Sequence, residues 1–147
     1  MDQIVFPQAN DFTKIIRIMN LDEKKLFNYK YIGVMLNVTQ RQVSYYLSAC
    51  KFLRLIDGDK FTELGKSIKN MGIDMKIKTY IKVILEVDLM FDIFYDIVFK
   101  KQTINLKEIA SRIYIKNLVV SESVALRRAS TVKNWIKWIL SQIEEPL

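Results

Sequence analysis

A mainly α-helical fold carrying one short β-hairpin is what the sequence predicts, on three observations. Only 4 glycines and 2 prolines occur in 147 residues, too few for a turn-rich β architecture. In most segments apolar residues recur three and four positions apart, the spacing of one helix face. One stretch, LIDGDKFTELG, breaks that rhythm: two short apolar pieces flank Asp57-Gly58-Asp59, the signature of a tight two-stranded turn.

The elements follow in order. Phe12, Ile15, Ile16 and Met19 predict a helix over 11–20, with Asn10 or Asp11 as its cap. Asn28 caps a second helix that runs through Leu36, and Asn37 tolerates the left-handed conformation a sharp turn needs. Thr39 caps a third helix to about Leu53, with Val43, Tyr46, Leu47, Cys50 and Leu53 facing inward. After the hairpin, Thr62 caps a helix from Glu63 to about Asn70. Helix, helix, turn, helix, hairpin is the order of a winged helix-turn-helix. Gly72 marks a boundary. Beyond it, Asp74–Lys101 reads as one or two strongly apolar helices, and 105–116 as an amphipathic helix capped by Asn105. Ser121 or Ser123 caps a further short helix, and Ser130–Ile143 forms the last one, with Val132, Trp135, Ile136, Ile139 and Leu140 on its stripe. The expectation is a tandem arrangement: residues 1–72 as a winged helix-turn-helix unit with a hairpin wing, and 73–147 as a second, helix-turn-helix-like unit packed on it.

A helix-turn-helix imposes a pattern of its own. The two helices pass close together, so one position in the first must be small. Gly33 meets that need, although a helix-interior glycine costs about 1 kcal/mol relative to alanine. Ile32, Leu36 and Val38 before the turn, and Val43 and Tyr46 after it, lock the pair. The outward side of the third helix is then Thr39, Gln40, Arg41, Gln42, Ser44, Tyr45 and Lys51. Arginine suits guanine edges and glutamine adenine edges, while Tyr45, Ser48 and Lys51 suit phosphates. Lys60, on the wing, reaches toward backbone or minor groove. No acidic residue interrupts Thr39–Arg54. In the second unit, Arg127 and Arg128 lie at the start of the last helix, where a backbone-binding or base-reading pair would sit, and Lys133 and Lys137 follow one turn apart. The bland reading makes Trp135 core and those two lysines solvated.

The net charge of +7 favours polyanion partners. The single cysteine, Cys50, excludes an internal disulfide and a zinc finger, and points to a reducing compartment. The absence of histidine removes Ser-His-Asp and Cys-His chemistry. No glycine-rich phosphate loop is present. The expectation is therefore no enzyme activity, no cofactor and no metal. The stretch MDQIVFPQAND is no signal peptide, and Tyr80–Phe99 carries too many charges to cross a membrane, which implies a cytoplasmic protein without a membrane partner. Within 79–100, apolar residues build a core shared by the two units; alternatively Met90, Phe91, Phe94 and Tyr95 form a homodimer seam. Asp88, Asp92 and Asp96 make an acidic stripe, read as a solvated face that stays clear of DNA.

The runs FPQANDFTKIIRIMN, VTQRQVSYYLSACKFLRLI, FTELGKSI and VALRRASTVKNWIKWI resemble a winged-helix module that accompanies some bacterial type II restriction endonucleases and related restriction systems. The resemblance rests on Arg41, Gln42, Tyr45 and Tyr46, and on Arg127, Arg128, Thr131, Trp135 and Trp138. It implies a recognition part for double-stranded DNA whose nuclease is a separate domain or subunit, with Thr39, Gln40, Arg41, Tyr45, Arg127 and Arg128 as DNA contacts. Ending at Leu147, the chain would be a stand-alone protein, an isolated domain or a subunit. It departs from the pattern at Arg54, where such wings are often entered through glycine. Two further functions stay open on the residues alone: a transcriptional regulator or replication initiator, and a protein–protein interaction module that binds no DNA.

Overall fold

A computed structural model describes residues 6–116 and 121–143, so Met1–Val5 of the N-terminal stretch and residues 117–120 and 144–147 lie outside the description. The described residues are mainly helical: α1 (Phe12–Met19), α2 (Tyr29–Leu36), α3 (Gln40–Phe52), α4 (Glu63–Lys69), α5 (Ile73–Leu85), α6 (Asp88–Val98), α7 (Leu106–Ile115) and α8 (Glu122–Ile143). A single turn of 3-10 helix at Glu23–Phe27, not anticipated from the sequence, buries Leu26 between α1 and α2.

Local chemistry accounts for most helix starts. The side chains of Asp11, Asn28, Thr39, Thr62 and Asn105 each accept a backbone N–H in the first turn that follows, as the sequence predicted. The ends of α2 and α3 are alike. Val38 N–H donates to Gly33 O, and Leu55 N–H donates to Cys50 O, both at 2.9 Å. Each closure requires a left-handed residue just before it: Asn37 at φ 56° and Arg54 at φ 62°. At Gly33 an added Cβ would lie 3.0 Å from the Val38 carbonyl, a tight approach that favours glycine at the turn between α2 and α3.

The hairpin pairs β1 (Ile56–Asp57) with β2 (Lys60–Phe61), antiparallel, with Ile56 opposite Phe61 and Asp57 opposite Lys60. Gly58 supplies the positive φ, 63°, at the first position of the two-residue turn. Glu23 pins the hairpin: its carboxylate accepts the Phe61 N–H at 3.0 Å.

One buried cluster runs through both halves of the chain, from Phe6 to Ile139. Trp135 of α8 joins them. Its ring meets Phe6 and Phe12 at 5.8 and 5.6 Å, and its indole N–H donates to Ala9 O at 2.8 Å.

Three expectations are corrected. First, the last helix does not begin at Ser130. A single 22-residue helix spans Glu122–Ile143 and absorbs the expected short helix. Ala125, Ala129, Val132 and Trp135 lie on one buried stripe, so packing on α7 and the N-terminal segment carries the helix straight through Ser130. Second, Met90 and Phe94 face the core and cannot form a seam, whereas Phe91 and Tyr95 are exposed. Third, the acidic stripe is not merely solvated. Asp96 bridges to Arg112 at 2.8 Å and to Lys100 at 3.6 Å, and Asp92 to Lys116 at 3.4 Å, tying α6 to α7. The hydrogen bond from Arg112 holds the Asp96 carboxyl below its ordinary pKa.

Candidate nucleic-acid interface

α3 positions the residues singled out for DNA. Its capping box fixes the helix start: Gln42 N–H donates to Thr39 Oγ1 at 3.2 Å, and Thr39 N–H donates to Gln42 Oε1 at 3.0 Å. Thr39 and Gln42 are therefore structural at those atoms. At 100° per residue Gln42 also stands a quarter-turn from Arg41, at the edge of the outward face.

The face that remains is Gln40, Arg41, Ser44, Tyr45, Ser48 and Lys51, all exposed or half-exposed. Arg41 does not wave freely. Its Nε–H donates to the Tyr45 hydroxyl at 2.7 Å, and its guanidinium lies 5.8 Å from the Tyr45 ring centre. This pairing gives the guanidinium a direction while leaving its terminal nitrogens for an acceptor. Tyr46, its neighbour, is buried and accepts the Asp11 N–H at 3.1 Å, so of the two tyrosines only Tyr45 reaches the surface. Lys51 stands beside the hairpin tip, in a hollow shared with Phe27, Gly58 and Asp59. Lys60 is exposed on β2.

The continuous α8 alters the role of its arginines. Arg127 and Arg128 sit inside the helix, not at its N-terminus, so a helix dipole gives them no help. What Arg128 gains is proximity to Tyr45 of α3. Arg128 is half-buried; burial lowers its pKa, the nearby Tyr45 hydroxyl raises it and Arg127 lowers it. Its Nε is buried with no hydrogen-bond partner. Arg41, Tyr45 and Arg128 thus form one cluster, with Arg127 exposed next to it. Lys133 and Lys137 are exposed, but on α8 they point roughly 140–180° away from Arg128, and the structure does not bring them to this face.

The charges are distributed unevenly. Among the described residues, every ion pair lies at Asp11, in α4, or across α6 and α7. Among the described residues, Arg41, Lys51, Lys60, Arg127 and Arg128 are in none of these ion pairs. Thr131, carried over by the resemblance, is fully buried: its hydroxyl accepts the Ala9 N–H at 3.0 Å and donates to Asn10 Oδ1 at 2.8 Å. Sequence reasoning missed Glu23, which sets the hairpin, and Gly65, whose added Cβ would lie 2.4 Å from Leu55 O. A glycine early in a short helix was the one available signal for the latter. Among the described residues no cluster of acidic or cysteine side chains is placed to hold a metal ion, and no helix is long and apolar enough to cross a membrane.

A family model described as a domain of unknown function (DUF7226) matches residues 14–144. No curated protein and no solved structure matches the chain.

Proposed function

The chain belongs to the DUF7226 family, and we propose that it binds double-stranded DNA, with α2 and α3 as a helix-turn-helix, the hairpin as its wing, and α3 in the major groove. The observation that carries this reading is the cationic face around Tyr45: Arg41 and Arg128 beside it, Arg127 next to Arg128, and Lys51 and Lys60 toward the hairpin, none of them in an ion pair among the described residues. Burial of Arg128 without a counter-ion costs stability, and a phosphate supplies the missing charge. Gln40 and Arg41, at the first turn of α3, are the base-reading candidates; the others hold the backbone. The resemblance extends the proposal to the recognition part of a restriction system, the chemistry coming from another domain or chain.

The test is duplex binding by fluorescence anisotropy across a salt series. Affinity should fall by about 0.9 log units per log unit of salt for each phosphate neutralised. Replacing Gln40 and Arg41 together by alanine should weaken binding to a selected site by about 2–6 kcal/mol, from two base contacts of about 1–3 kcal/mol each. Lys133→Ala with Lys137→Ala, on the far side of α8, should leave affinity unchanged. Equal affinity of the Gln40/Arg41 double variant and wild type at matched salt would sink the proposal.

A further inference from the structure

The outward face of α6 is apolar where it should not be. Phe91, Tyr95 and Phe99 are 49%, 43% and 67% exposed, and their rings stack along the helix with centroids 6.2 and 5.2 Å apart. Three aromatics at successive turns form one stripe. A contiguous exposed apolar patch of a few hundred Å² is of the size that is often functional on a protein surface. Beside the stripe lies a hollow of about 390 Å³ lined by Asp92, Asp96, Lys100 and Arg112 together with the first two rings.

The charges flanking the stripe say what covers it. Its beginning is acidic: Asp88 and Asp92 share its exposed face at 100° per residue. Its end is basic: Lys100 and Lys101 follow Phe99 directly. Asp88 and Lys101 belong to none of the ion pairs among the described residues. A surface acidic at one end, basic at the other and aromatic between is complementary to itself when reversed. With Tyr95 on a two-fold axis, Phe91 meets the partner's Phe99, and Asp88, at the start of one helix, faces the end of the partner's helix, where Lys100 and Lys101 follow Phe99. Both ends of the interface are satisfied at once, as an isologous contact requires.

We infer that α6 pairs antiparallel with α6 of a second copy of this chain, through Phe91, Tyr95 and Phe99, with Asp88 and Lys101 fixing the direction. The stripe exposes about 300 Å² of aromatic surface per copy. That is below the size of a stable interface, so the dimer is weak and concentration-dependent. This pairing goes beyond the proposed DNA binding and does not depend on it.

Sedimentation equilibrium of the full chain, without DNA and over rising concentration, is the test. Wild type should move from monomer toward twice the monomer mass. Tyr95→Lys, which sets two like charges on the axis, should remain monomeric at every concentration, with an unchanged far-UV CD spectrum. Asp88→Lys alone and Lys101→Asp alone should each associate at least tenfold more weakly, and their equimolar mixture should recover wild-type association. If Asp88→Lys, at a helix start, fails to fold, Lys101→Asp and Tyr95→Lys carry the test. A wild type that stays monomeric overturns the inference. So does Tyr95→Lys that still dimerises, or a mixture no stronger than either variant alone. Duplex affinity measured on the Tyr95→Lys monomer separates this outcome from the DNA reading.

Discussion

Ala9 is gripped twice by α8, and cutting either grip should reveal how the two ends of the chain depend on each other. Its N–H donates to the Thr131 hydroxyl at 3.0 Å, and its carbonyl accepts the Trp135 indole N–H at 2.8 Å, both in the buried interior. Thr131→Val keeps the shape and deletes the acceptor. The Ala9 N–H is then buried without a partner, at a cost of about 1–3 kcal/mol. Asn10 is exposed, so its amide oxygen takes water instead of the lost hydroxyl. The added methyl returns up to about 0.8 kcal/mol. The net loss should be about 1–2 kcal/mol. Thr131→Ser, which keeps the hydroxyl, should lose no more than about 1 kcal/mol. Trp135→Phe removes the second grip and leaves a partial void in the core, costing about 2–3 kcal/mol, short of the about 3–5 kcal/mol of a full truncation to alanine. Once one grip is gone the segment before α1 is already loosened. The double variant should therefore cost about 0.5 kcal/mol or more less than the sum. Urea unfolding followed by far-UV CD measures all of these, with equal m-values as the check on two-state behaviour. The reasoning is refuted if Thr131→Val lies within about 0.5 kcal/mol of wild type, or if the two substitutions simply add.

Three other substitutions or reagents probe separate elements. Gly65→Ala drives a Cβ to 2.4 Å from Leu55 O and 3.0 Å from Met19 Cε, so the hairpin entry or α4 must shift; a loss of about 3 kcal/mol or more in urea unfolding is expected. Arg54→Gly relieves a left-handed residue at the end of α3 and should raise the unfolding free energy by up to about 1 kcal/mol in urea, after the added entropy of the unfolded chain is offset. Cys50 is fully buried and burial pushes its thiol pKa up to about 12, so Ellman's reagent should not react at pH 8 until denaturant is added.

Helix starts were legible in the sequence because a cap is a local event. Asp11, Asn28, Thr39, Thr62 and Asn105 each act on a backbone group two or three residues away. The turn after α2 was legible for the same reason, since Gly33 and Asn37 are both needed within a few residues of each other. Arg54 was visible only as an oddity where glycine is commoner; the structure gives it a left-handed φ of 62°. What stayed hidden depends on distant partners. Glu23 acts across 38 positions on Phe61, and Thr131 and Trp135 act across more than 120 on Ala9. No local pattern encodes such pairs. The exposed half of α6 was hidden for a different reason. Met90, Phe91, Phe94 and Tyr95 are equally apolar, and only the helix phase set by packing on the other elements divides them into core and surface.

The continuity of α8 matters most for Arg128. Taken from Ser130 onward, the apolar stripe starts at Val132 and Arg128 falls outside it. In one helix from Glu122, residues 128, 132, 135 and 139 are spaced four, three and four apart, and Arg128 occupies a core-facing position two turns before Trp135. An arginine on that stripe, half-buried, with Nε unpaired and in no ion pair among the described residues, works against folding. Arg128→Met keeps the length and apolar stem of the side chain and removes the unpaired group. If Arg128 is there to hold phosphate, stability and binding must move in opposite directions. The variant should gain about 1 kcal/mol in urea unfolding, part of the about 1–3 kcal/mol an unpaired buried donor costs. It should also lose duplex affinity, with a salt slope shallower by about 0.9 for one phosphate contact fewer. A merely structural arginine gives the other pattern: stability falls and the salt slope stays where it was. That result would remove α8 from the interface and leave α3 and the hairpin to account for binding alone.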